Sequence, residues 1–148
     1  MIHRRIRWQQ QARGAPQGAL FHLQSHHDPT YTRRYLMKAI LINPFDKTIT
    51  EVDYDGDFMH IYDLIDAGCF GCARISEGDG IFIDDDGLLK NPTHFFLHSE
   101  YHSPLAGKGL ILGCDDQGEA VSCKTTVEEV RAKVSFRNIF QVREEYAA

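Results

Sequence analysis

The chain has 148 residues, 25% of them charged, a formal net charge of −5 and four cysteines; that length holds one domain with its own core and is short for two. No apolar stretch approaches the about 20 residues needed to span a bilayer, and no continuous apolar segment marks a secretory signal, so the sequence predicts a cytoplasmic protein with no membrane partner. Charge is divided unevenly: residues 1–36 hold six arginines (Arg4, Arg5, Arg7, Arg13, Arg33, Arg34) against Asp28, giving +5, whereas residues 37–148 hold ten basic and twenty acidic residues, giving −10.

Residues 1–36 contain Gln9 to Gln11, Ser25 to Pro29 and scattered apolar residues with no regular period. Such a segment buries too little to offset its ordering entropy, so it reads as a disordered basic arm or as an upstream extension preceding the natural start at Met37. As an arm it could contact nucleic acid, with Trp8 and Phe21 available to stack on bases. The acidic remainder repels phosphate and would instead meet a basic surface on a partner.

From Met37 the pattern changes. Ala39 to Ile42 form an apolar run suited to a buried strand that Asn43-Pro44 ends, and Thr48 to Tyr54 supply a second strand, making a hairpin. Phe58, Ile61, Tyr62 and Ile65 fall at i, i+3, i+4 and i+7, which predicts a helix over 58–67, capped by Asp57 and stopped by Gly68. Phe70 to Ile75 and Gly80 to Ile83 read as extended runs joined by a Glu-Gly-Asp turn, and Asp84-Asp85-Asp86-Gly87 closes the second.

Asn91-Pro92 matches a cap followed by a first-turn proline, predicting a short third helix over 92–100. Gly109 to Cys114 and Glu119 to Cys123 bracket Asp-Asp-Gln-Gly as a hairpin. Thr125 and Thr126 precede Glu128 and Glu129 by three residues, a capping box for a second main helix over 126–134, after which Ser135 to Val142 read as a strand or extended tail. Together these give an α+β fold, a single domain over 37–148 with a mixed or antiparallel sheet.

The order of these motifs is familiar. Met37-Lys38-Ala39-Ile40-Leu41-Ile42-Asn43-Pro44, the amphipathic helix, Asp86-Gly87-Leu88-Leu89, Asn91-Pro92, Pro104-Leu105-Ala106-Gly107 and Leu112-Gly113-Cys114-Asp115-Asp116-Gln117-Gly118-Glu119 resemble a family of small proteins of bacteriophages, plasmids and their bacterial hosts, a domain of unknown function. The resemblance covers residues 37 to about 140. It implies a mobile-element accessory role, modulating host machinery or defence, brings no active-site residues with it, and supports Met37 as a natural start.

Several constellations invite chemistry. Cys69 and Cys72 have the two-residue spacing of a zinc or redox pair, and with Cys114 and Cys123 could complete a four-thiolate zinc site. The second pair has eight intervening residues where two to four are usual, so small apolar positions on strands explain these cysteines better, with zinc or thiol chemistry as the enzymatic alternative. His94, His98 and His102 are spaced four apart but lack the glutamate of a metalloprotease helix. Asp53, Asp55 and Asp57 match the start of a calcium loop that then fails, with Phe58 where glycine belongs and Leu64 where glutamate belongs. Gly107-Lys108-Gly109 lacks the spacing and context of a phosphate loop. No convergent catalytic set emerges. The expectation is a non-enzymatic protein that binds a host protein through an acidic surface, with Asp84, Asp85, Asp86, Asp115 and Asp116 in exposed turns as candidate contacts.

Overall fold

The computed structural model describes residues 36–75 and 78–146. The basic segment expected to be disordered or extraneous, and the nucleic-acid arm within it, fall outside that range except for Leu36.

Among the described residues, nine strands and three helices run in the order β1 (Met37–Asn43), β2 (Thr48–Tyr54), α1 (Phe58–Ile65), β3 (Phe70–Arg74), β4 (Asp79–Asp84), β5 (His94–His98), β6 (Leu105–Ala106), β7 (Gly109–Cys114), β8 (Ala120–Val121), α2 (Val127–Lys133), β9 (Val134–Asn138) and α3 (Ile139–Tyr146), with a 3-10 turn at Gly87–Leu89. The central sheet has the order β2-β1-β7-β4-β3, with β8 paired to β7, and a second sheet has the order β6-β5-β9. Every pairing is antiparallel. The result is the compact α+β fold that the periodicity predicts.

Alternation along the central strands builds two cores. On one face Ala39, Phe82, Leu110 and Leu112 meet Phe58, Ile61, Tyr62 and Ile65 of α1. On the other, Ile40, Ile42, Ile81 and Ile111 meet Phe96 and Leu105 of the small sheet and Val130 of α2. Strands buried on both sides read as continuous apolar runs instead of an alternating pattern, which is why Ala39 to Ile42 and Gly109 to Leu112 look uniformly apolar. Close layering also needs absent side chains: a Cβ at Gly109 would lie 2.6 Å from the Phe96 ring.

Local signals account for most ends. Asp57 accepts from the Met59 amide at 2.9 Å, and Thr126 and Glu129 form the expected reciprocal capping box. The stop of α1 differs from expectation: Asp66, not Gly68, takes the left-handed conformation (φ 55°), and its amide returns to the Tyr62 carbonyl. Asp tolerates that region better than most residues, so a glycine two positions on was not required.

The predicted helix over 92–100 is a strand. Asn91 is left-handed (φ 50°) and Pro92 leads into β5, which pairs with β6 on one side and β9 on the other. His-Phe-Phe-Leu-His is aromatic-rich and packs on a pleated surface, and burial of Phe95 and Phe96 between partners overrides a capping motif. The tail is also revised: after β9 the chain turns helical, because Asn138 and Gln141 bond each other's backbone amides reciprocally at 2.9 Å. That is a capping box with amide side chains, legible as Asn-x-x-Gln.

Candidate functional site

The register of β4 on β7 decides how the acidic turns are grouped. Asp79 lies opposite Gly113 and Ile83 opposite Gly109, so the turn after Asp84 and the turn after Cys114 stand at opposite ends of the sheet, roughly 20 Å apart at about 3.3 Å per residue. The five expected contact aspartates therefore form two groups, Asp84 to Asp86 at one end and Asp115 with Asp116 at the other.

Two of these carboxylates, Asp84 and Asp115, have structural work. Asp84 accepts from the Asp86 amide at 3.0 Å and from Lys90 Nζ at 2.6 Å, and that hydrogen bond raises the lysine's pKa. Asp115 accepts from the amides of Gln117 and Glu119 at 2.9 and 2.8 Å, shaping its own loop, where Gly118 has φ 83°. Asp85, Asp86 and Asp116 are exposed.

The Asp84 end carries a surface feature that sequence reasoning missed. Two shallow grooves share the Asn91-Pro92-Thr93 segment as a common wall. One, of about 310 Å³, is lined by Phe45, Ile65, Lys90, His94, Ala106 and Lys108; the other, of about 530 Å³, by Leu88, Phe95, Ile139, Val142 and Arg143. The segment between them is fixed by two backbone bonds, Gly107 N to His94 O at 3.1 Å and Ile139 N to Thr93 O at 2.9 Å. Phe45 packs its ring on His94 at 4.9 Å between centroids.

Large apolar side chains on or beside the lining segments are exposed: Phe45 is 56% exposed, Leu88 69%, Leu89, next to Leu88, 81%, and Phe140, next to Ile139, 73%. The 3-10 turn presents the leucines because Gly87 is pressed against the small sheet, where a Cβ would already be 3.4 Å from Ala106. α3 has no buried residue. Adjacent leucines directly after an acidic turn were the available sequence signal, since turns are otherwise polar.

The cysteines are not brought together. Cys72 packs against the core under α1, whereas Cys123 is buried in the core on the opposite face of the sheet. Cys69 Sγ lies 3.9 Å from Asp85 Oδ2 and Cys114 Sγ 3.6 Å from its neighbour's carbonyl. Burial pushes the Cys123 thiol up to about 11, the opposite of an activated nucleophile. Among the described residues no three His, Cys, Asp or Glu side chains converge in a way that could hold a metal ion. The residues named for zinc thus do not fit a four-thiolate site. The histidine series is likewise divided, His94 lining the first groove while His98 is buried at the far end of β5.

Among the described residues no helix is long and apolar enough to cross a membrane. No family model, curated protein or solved structure matches the chain.

Proposed function

We propose that the chain is a small accessory protein of phage or plasmid type that acts by binding a host protein, modulating host machinery or defence without chemistry of its own. The observation that carries this reading is the exposure of Phe45 and Leu88, which line the paired grooves, together with that of Leu89 and Phe140, the chain neighbours of the lining residues Leu88 and Ile139. Burying one such side chain against a partner is worth about 1.5–3 kcal/mol, and contiguous exposed apolar patches mark interaction sites. Asp85 and Asp86 flank the leucines, and residues 37–148 carry −10 overall. The matching partner surface is an apolar ridge bordered by lysine or arginine, with electrostatics setting the association rate more than the final affinity. Asp84 is left out of the contact set because Lys90 already neutralises it.

Affinity capture from a bacterial host lysate, followed by binding measurements with the recovered protein, tests this. Leu88→Asp/Leu89→Asp should abolish binding, Asp85→Lys/Asp86→Lys should weaken it about tenfold and flatten its salt dependence, and Asp116→Lys should leave it unchanged. Binding that survives the double leucine variant would overturn the reading, as would failure to recover any partner.

A further inference from the structure

The larger of the paired grooves lies between two unlike walls. The small sheet has the order β6-β5-β9. On the β6 side stands the leucine turn, whose Gly87 abuts Ala106, and on the β9 side α3 continues directly from Asn138. Pro92 and Phe95 of β5 line the groove between them. At about 530 Å³ it falls in the range of clefts that admit a drug-sized molecule, so side chains of leucine size can enter it.

The helix wall is short of packing. Ile139, Val142, Arg143 and Tyr146 fall at i, i+3, i+4 and i+7 and share a face of α3. Yet none of the 8 residues of α3 is buried, and Phe140 and Tyr146 are exposed large apolar residues. A helix below about 12–15 residues depends on tertiary packing for its stability, so cover on this face would strengthen α3.

The patch also holds its own complement. It combines a projecting apolar turn with a receiving groove, and it carries Asp86 beside the turn and Arg143 on the helix, both exposed. A two-fold axis through the groove lays the β6 side of one copy on the β9 side of the other. Leu88 and Leu89 then meet Phe140 and Val142 across the axis, and Asp86 meets Arg143, with every contact made twice. Two-fold interfaces require such self-complementarity, whereas a patch shaped only for an unrelated partner has no need of both a ridge and a groove, or of both signs of charge. We propose that this face pairs with a second copy of itself in a closed symmetric dimer. The proposal rests on the reading of the leucine face as an interaction surface, but it needs no host protein. The formal charge of −5 on each copy opposes close approach, which sets the expected affinity in the micromolar range.

Sedimentation velocity of the full chain from about 1 to 200 μM, bracketing that range, tests it. The native chain should pass from monomer to dimer and grow no further. Leu88→Asp/Leu89→Asp should stay monomeric, with circular dichroism confirming that the variant is folded. The Asp86 side chain makes no cap bond in its turn, so Asp86→Arg leaves the turn intact. Asp86→Arg and Arg143→Asp should each weaken the dimer about tenfold, because each variant sets like charges together twice. An equimolar mixture of the two should regain the native affinity, because the mixed dimer has opposite charges at both contacts. A chain that is monomeric throughout overturns the proposal. So does a dimer that survives the double leucine variant, growth beyond the dimer, or a mixture that associates no more tightly than its components. These outcomes leave host binding to its own test by lysate capture at concentrations below the dimer's range, and a dimer with no host partner recovered would overturn the host reading alone.

Discussion

Asp79→Ala should destabilise the fold by about 2–4 kcal/mol, and Asp79→Asn by about half as much. The Asp79 carboxylate is 3% exposed and receives two backbone donors, Lys124 N at 3.1 Å and Thr125 N at 3.1 Å. An orphaned buried amide costs about 1–3 kcal/mol, and hydrogen bonds to a charged acceptor lie at the upper end of that range. Thr125 is half-buried and Lys124 exposed, so water can reach these amides in part, and the sum is taken from the lower half of two such terms. Asparagine keeps one oxygen and turns an NH₂ toward the other amide, so one bond is lost instead of two. Urea titration followed by far-UV circular dichroism, with unchanged m-value, reads both variants. The alanine variant should also lower the melting temperature by roughly 8–16 °C, at about 4 °C per kcal/mol for a domain of this size. Equal losses for alanine and asparagine, or less than about 0.5 kcal/mol for alanine, would refute the argument that bond count at this carboxylate sets the anchorage of the segment leading into α2.

Three further outcomes follow from the packing and the titrating groups. His98 is held neutral by burial, so its folded pKa lies below the ordinary 6.5; the unfolded chain then binds the extra proton first, and stability is full above about pH 6.5 and falls as the pH drops toward the folded value. Chemical denaturation at pH 7.5, 6.5 and 5.5 should show that loss, and His98→Phe should remove the part of the slope below pH 6.5. Gly109→Ala should cost about 1–3 kcal/mol by overpacking, since the new methyl would press on the buried Phe96 ring from 2.6 Å; a neutral result in thermal melts would show that the ring shifts freely. In a thiol-titration time course at pH 8, Cys123 should react last in the native protein, its pKa having been pushed up to about 11 and its side chain buried; assignment of the labelled peptides by mass spectrometry checks the order.

How far the sequence carried depended on whether a local signal had a competitor. The helix at Phe58 was legible because one apolar stripe agrees with its cap, and the helix at Val127 because the Thr126 and Glu129 box agrees with a run of good helix formers. At Asn91-Pro92 the cap motif conflicted with Phe95 and Phe96, and two flanking strands decided the outcome. The pairing of β5 with β9 joins residues about 40 apart in sequence, a non-local term that no window of ten or fifteen residues contains. The candidate contacts fared similarly. That Asp85, Asp86 and Asp116 are exposed turn residues follows from composition alone, but that they stand at opposite ends of the sheet follows only from the register of β4 against β7. Of the four cysteines, Cys72 and Cys114 lie on strands as read, whereas Cys69 precedes β3 and Cys123 follows β8; Cys72 and Cys123 pack into cores on opposite faces of the sheet.

The same register explains why one small domain can carry two unlike surfaces. Strands β4 and β7 are buried on both faces, so their side chains are committed to the cores and only the ends of the central sheet are left for recognition. At one end the chain leaves β4 through a tight turn against β6, which forces Leu88 and Leu89 outward and leaves an apolar surface with an acidic edge. At the other, Asp79 at the start of β4 must be hydrogen-bonded because it is buried, and the segment that supplies its donors also carries Lys124 and leads directly into Glu129 of α2. Charged residues thus gather at that end as a consequence of satisfying one buried carboxylate. Lys124→Met, at the far end of the sheet, should leave partner binding at the leucine turn untouched. Coupling between the two would require movement transmitted along β4, whose central residues Ile81 and Phe82 are held in both cores.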